Sequence, residues 1–113
     1  MSWQVSITEE AERDLRAIYS YIAVELRSMA NASAQLDRLE KEISALAEMP
    51  ERYRRYEPEP WYSRGVRRFS VDHYCVFCLP DRETGTVDIL RVLYGGRDID
   101  SLMEEYAEEM EAE

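Results

Sequence analysis

Lysine is almost missing from this 113-residue chain: one Lys, Lys41, stands beside thirteen Arg. The cations are therefore suited to planar recognition of carboxylate or phosphate, where Lys would mostly supply solubility. Only two cysteines occur, Cys75 and Cys78, which gives no disulfide framework and fits a reducing cytosol. The single histidine, His73, leaves too few soft ligands for a zinc site. No apolar run approaches the ~18 residues that a membrane span needs. The opening Met1-Ser2-Trp3-Gln4-Val5 lacks the basic start and apolar stretch of a secretory signal. No repeat or low-complexity segment interrupts the order. The expectation is a cytoplasmic protein with no membrane partner, no metal and no cofactor.

What is present supports one core. Hydrophobic residues make up 45%, which argues against disorder despite 34% charged residues, and the length suits one domain over 1–113. Net charge is −10, which argues against a nucleic-acid ligand at first sight. The distribution is uneven. Eight acids and no base follow from Asp98 onward, so residues 1–97 carry a net charge of only −2. Six of the thirteen arginines fall between Arg52 and Arg68. The core is placed at 3–97, with an acidic terminal helix over 98–113.

Trp3, Val5 and Ile7 alternate with polar residues, the period of a half-buried strand. Thr8 then offers an N-cap, with Glu9 and Glu10 where the helix dipole favours anions. Ala11, Leu15, Ile18, Ile22, Leu26 and Met29 recur at helical spacing. Asn31 or Ser33 is the expected cap of a second helix with stripe Ala32, Leu36, Leu39, Ile43 and Leu46, ended by Pro50. A loop with three prolines and the aromatics Trp61 and Tyr62 follows. Strands are expected from Gly65 to Val71, His73 to Leu79 and Thr86 to Tyr94, the last two joined by a Pro80–Gly85 hairpin loop. Gly95-Gly96 breaks the last strand, and Asp98 opens a final helix with Ile99, Leu102, Met103, Tyr106 and Met110 on one side. The fold class is α+β, in the order β-α-α-β-β-β with a terminal helix. The helical hairpin covers one face of a mostly antiparallel four-stranded sheet. The terminal helix or a partner must cover the other.

Cys75 and Cys78 form a C-x-x-C, yet within a strand residues three apart face opposite sides, ~10 Å apart. They cannot bond or share a metal and read as two buried hydrophobes. His73 has a near-neutral pKa suited to acid–base work, although a turn histidine with an ordinary hydrogen bond is the commoner case. Arg67 and Arg68 point to opposite faces of their strand. Arg91 sits among Ile89, Leu90, Val92 and Leu93, so it must meet an acid or project from the face the hairpin leaves bare. Arg97 stands at the mouth of the last helix. Salt bridges of Arg67 with Asp98 or Arg97 with Asp100 are the plainer alternative to a shared patch. The last helix could also lay its acids over the arginines or pair with a second copy.

Several segments resemble the RelE/ParE toxin superfamily. Val5-Ser6-Ile7-Thr8-Glu9-Glu10-Ala11-Glu12-Arg13-Asp14-Leu15 is similar to its first strand and helix start, and Tyr21-Ile22 to the middle of that helix. Gly65-Val66-Arg67-Arg68 and His73-Tyr74-Cys75-Val76-Phe77 are similar to its second and third strands. Ile89-Leu90-Arg91-Val92-Leu93-Tyr94-Gly95-Gly96-Arg97-Asp98 resembles the fourth-strand signature of ParE-like members. The likeness spans about residues 3–103 and implies the RelE/ParE-like fold, a toxin, and a cognate antitoxin partner. Two activities are implied by different branches. RelE-like members cut messenger RNA on the ribosome; ParE-like members bind DNA gyrase without chemistry of their own.

The nucleases carry a base after the third-strand tyrosine, where this chain has Cys75. They also carry a Tyr or His where it has Met103, with Tyr106 the nearest phenol. The resemblance therefore favours a ParE-like, non-enzymatic gyrase binder, with Arg68, Arg91, Tyr94 and Arg97 contacting the target. In the nuclease alternative, Arg68, Arg91 and Arg97 would surround the phosphate and His73 or Tyr94 would move the proton. A third reading is a non-toxic member whose sheet is occluded by its own acidic tail or by homodimerisation through the last helix.

Overall fold

The computed structural model describes residues 2–112. Strand β1 (Gln4–Ile7) leads into helix α1 (Glu9–Ser20), which passes through a π-helical turn at Tyr21–Glu25 before helix α2 (Met29–Ser44). A short helix α3 (Trp61–Arg64) lies in the connecting loop. Strands β2 (Arg67–Val71), β3 (Tyr74–Asp81) and β4 (Thr86–Tyr94) and helix α4 (Ile99–Ala112) complete the chain. The sheet order is β1-β4-β3-β2. β1 runs parallel to β4, and the other pairs are antiparallel. The α+β order and four-stranded sheet follow the sequence reading.

Thr8 shows why β1 ends where it does. Its Oγ1 accepts from the Ala11 N–H at 3.2 Å, capping α1, and donates to the carbonyls of Ile89 and Leu90. One hydroxyl thereby ties the helix start to β4. The second helix is capped one turn earlier than expected, by Ser28 Oγ rather than Asn31 or Ser33, with the Asn31 N–H as donor at 3.1 Å. Between the helices the hydrogen bonds lengthen to the π pattern, with Leu26 N–H donating to Tyr21 O. That extra residue per turn rotates the helical stripe away from the core. Leu26 and Met29, expected inside, are exposed as a result. The second helix also closes before Pro50, which instead opens a 3₁₀ turn over Pro50–Arg52.

Two apolar clusters lie on opposite sides of the sheet. The hairpin side holds Ala11, Leu15, Ile18, Leu39, Ile43, Val76, Cys78 and Val92. The other side holds Tyr56, Trp61, Val66, Cys75, Phe77, Leu93, Met103 and Tyr106. The second face is therefore not bare: α4 and the proline-rich loop cover most of it. Trp61 fastens this layer, stacking on Tyr106 at 5.4 Å while its indole Nε1–H donates to Met103 O at 3.0 Å. Met103 and Tyr106 are buried in this contact, while Met110 at the far end of the α4 stripe stays exposed. Cys75 and Cys78 fall in different clusters and are free thiols, as strand alternation requires. Burial raises the Cys78 thiol to about 12, the state of a small core hydrophobe. None of the helices among the described residues is long and apolar enough to cross a membrane.

Candidate functional site

β4 pairs Arg91 with Phe77 and Ile89 with Cys78, leaving Leu90 as the extra residue of a bulge. The bulge turns two successive side chains, Leu90 and Arg91, toward the α4 side, since Phe77 belongs to that cluster. Arg91 does not project there freely. Its Nε and Nη2 donate to Asp14 Oδ2 and Oδ1 at 2.7 and 2.9 Å, and its guanidinium lies 5.2 Å from the Tyr106 ring centroid. Asp14 Oδ2 also accepts from the Val92 N–H at 2.9 Å, a strand-edge donor lying beyond the end of β1. Donating these bonds to Asp14 holds the guanidinium pKa above its ordinary value. Arg91 thus takes the first of its two options: it meets an acid. It is a bracket between α1, β4 and α4, and it lines none of the grooves described below.

Arg68 is placed differently. It shares the α4 side of the sheet, with its guanidinium 5.8 Å from the Tyr56 ring and 5.7 Å from Phe77. Among the described residues no carboxylate pairs with it, nor with Arg54 or Arg97. Arg68 is common to the linings of two recesses, together called the groove. The first, about 400 Å³, is lined by Ser70, His73, Tyr74, Cys75, Tyr94 and the Gly95-Gly96 pair. The second, about 880 Å³, is lined by Arg54, Arg55, Tyr56, Pro58, Tyr62 and Asp100. Arg68, His73 and Tyr94 are therefore brought together, whereas Arg97 lies around the tyrosine on the hairpin side. There His73, Tyr74 and Tyr94 also wall a cleft of about 710 Å³ under Tyr21, Ile22 and Arg38.

The double glycine makes this mouth. A Cβ on Gly96 would come within 2.5 Å of the Tyr94 ring, and one on Gly95 within 3.1 Å of His73 O. Without side chains at these positions, Tyr94 folds back over the turn and meets Tyr74 edge-on at 5.9 Å. Asp72, in the β2–β3 turn, accepts from Arg38 Nε at 2.7 Å and Gln35 Nε2 at 2.9 Å, and these bonds lower its pKa. That contact fixes the turn carrying His73 against α2.

The loop supplies what the sequence reading left unnamed. Arg55 lies over the Tyr62 ring at 4.4 Å and donates through Nη2 to Tyr62 O at 2.6 Å. The backbone N–H of Arg68 donates to Arg54 O, which binds this loop to the free edge of β2. Arg67 points to the other face and donates to the Glu51 and Tyr53 carbonyls, not to Asp98. Tyr56 donates to Asp100 Oδ1 at 2.6 Å; burial and this neighbour push its pKa up. The signal for Arg54, Arg55 and Tyr62 lay in the interleaving of arginine with aromatics over 52–68. Met103 and Tyr106, at and near the place where nucleases carry a phenol or imidazole, are buried away from the groove.

A helical hairpin on one face of a four-stranded mixed sheet is the fold of the RelE/ParE toxin superfamily. Solved structures bear this out. The chain is similar to a chromosomal ParDE system from Pseudomonas aeruginosa, with a TM-score of 0.67 and 20% identity over 82% of this chain and 96% of that one. It is similar to a mutant of the Escherichia coli toxin RelE in the free state, with a TM-score of 0.65 and 14% identity over 96% and 98%. The toxin–antitoxin complex RelBE2 of Mycobacterium tuberculosis gives a TM-score of 0.59 and 23% identity over 83% and 99%. No curated protein matches the sequence. The family model for the ParE toxin of the type II toxin–antitoxin system parDE matches residues 5–99, and the chain belongs to that family.

Proposed function

We propose that the chain is a toxin that inhibits DNA gyrase by protein–protein docking through the groove around Arg68, and is neutralised by a cognate antitoxin. The carrying observation is that neither group expected of the nucleases at these two positions is present. Cys75, where the RelE-like nucleases hold a base, is a buried thiol whose pKa burial raises. Tyr106, the nearest phenol to the second expected group, is sealed against Trp61. A groove with cations but without these groups suits binding better than phosphodiester cleavage. Arg68 and Tyr94 in one recess, and Arg97 on the other side of the tyrosine, are exposed or half-buried and are residue types that carry interface energy.

The antitoxin part of the reading is supported by the relatives that were solved as toxin–antitoxin complexes. The nuclease reading retains one observation in its favour, the meeting of Arg68, His73 and Tyr94 in a single recess. Self-occlusion has less support, because among the described residues no acid of α4 forms an ion pair with an arginine. Purified gyrase assayed for supercoiling with and without the protein is the test. Inhibition that weakens in Arg68→Ala supports docking. Full supercoiling, together with messenger RNA cleaved on translating ribosomes, overturns it.

A further inference from the structure

The groove along β2 holds carboxylates as well as arginines, and the mixture restricts its occupant. We infer that it receives an acidic stretch of a protein chain, with carboxylates spaced by proline or apolar residues, and not the backbone of a nucleic acid. This names the chemistry of the partner's contact segment and rests on the docking reading above.

Arg54 and Arg68 are guanidinium groups without an acid partner among the described residues, on one lining. Each offers the planar fork that matches a carboxylate. Pro58 and the half-exposed Tyr62 ring, stiffened by Arg55, lie on the same lining and give an apolar surface. Glu57 and Asp100 complete that lining, and Asp72 lies in its continuation beyond Arg68. Asp100 Oδ1 accepts from the Tyr56 hydroxyl at 2.6 Å.

A nucleic-acid strand carries one charge per nucleotide, and its affinity comes from neutralising many of them together. Laid here, its phosphates would meet Glu57 and Asp100 as well as the arginines. A peptide can set glutamate or aspartate at Arg54 and Arg68 and pass neutral residues over the acids. Cations interleaved with acids on one lining therefore favour carboxylates set among neutral residues, and Glu57 and Asp100 repel a continuous polyanion.

The test follows the Arg Nε–H resonances of the ¹⁵N-labelled full chain during titration with an alternating Glu-Pro peptide and, separately, with oligothymidylate. The Arg54 and Arg68 resonances are expected to shift saturably with the peptide while exposed Arg13 does not. Arg54→Gln/Arg68→Gln should weaken peptide binding by roughly tenfold or more, and Arg54→Lys/Arg68→Lys should recover part of it. Thermal melts of both double variants check that the fold is intact. Oligothymidylate binding as tightly as the peptide, neither probe binding, or peptide affinity surviving Arg54→Gln/Arg68→Gln overturns the inference. Supercoiling assays separate the two readings. If wild type fails to inhibit gyrase, the docking target is wrong and the titration still judges the groove. If the Gln variant inhibits as well as wild type, the groove chemistry is wrong and only gyrase inhibition through another face survives.

Discussion

Asp14 was not among the residues singled out as functional, yet it holds one of them in place. It satisfies a guanidinium at two atoms and a strand N–H at the same time, and both partners are largely buried. Asp14→Ala strands the Arg91 charge and leaves the Val92 N–H without its acceptor. Removing one partner of a buried pair costs about 3–5 kcal/mol; residual exposure of Arg91 brings the expected loss here to about 2–4 kcal/mol, read as a urea midpoint shift. Asp72 gives a pH signature instead. Hydrogen bonds from Arg38 and Gln35 lower its pKa below the ordinary 3.8. Its contribution to stability is thus complete above that ordinary value and is lost as pH falls through the lowered folded one. Asp72→Asn should flatten that acid limb in urea titrations run downward from pH 5, and an unchanged limb would remove Asp72 from the account.

At the scale of elements, periodicity carried most of the information. β4 was bounded correctly because Gly95-Gly96 and the hairpin loop are local signals, and α1 began at Thr8 because the cap is local too. The π turn at Tyr21–Glu25 was invisible, since the stripe through Leu26 and Met29 continues at helical spacing and only the longer hydrogen bonds break it. The β4 bulge was equally hidden, because Leu90 continues the apolar run on both sides. The site was legible in part: alternation separated Arg67 from Arg68, but the acid facing Arg91 lay 77 residues away in sequence. What covers the second face could be given only as a pair of options. Trp61 is what seats the terminal helix. Trp61→Phe keeps the ring stack and deletes the bond to Met103 O, for an expected loss of about 1 kcal/mol. A melting curve superimposable on wild type would show that bond to be idle.

The whole molecule divides its charge: a negative terminal helix on a nearly neutral body. Cutting the chain at residue 104 is a poor probe of that tail, because Tyr106 and Ala107 belong to the second cluster. Truncation should unfold that layer. Replacing the exposed Glu104, Glu105, Glu108 and Glu109 by Gln removes four negative charges without touching it. Melting should then move by only a few tenths of a kcal/mol per site, and gyrase inhibition should be unchanged; a marked gain would revive occlusion by the tail. The parallel pairing of β1 with β4 has a consequence for how the chain comes into being. The first strand of the sheet must wait for the last before it acquires a neighbour, and Thr8 finds its carbonyl acceptors 81 and 82 positions downstream. A growing chain can fold its helical hairpin early, but the surface around Tyr94 takes form only once β4 has been made. A copy that stops short of β4 consequently lacks the groove through which docking is proposed.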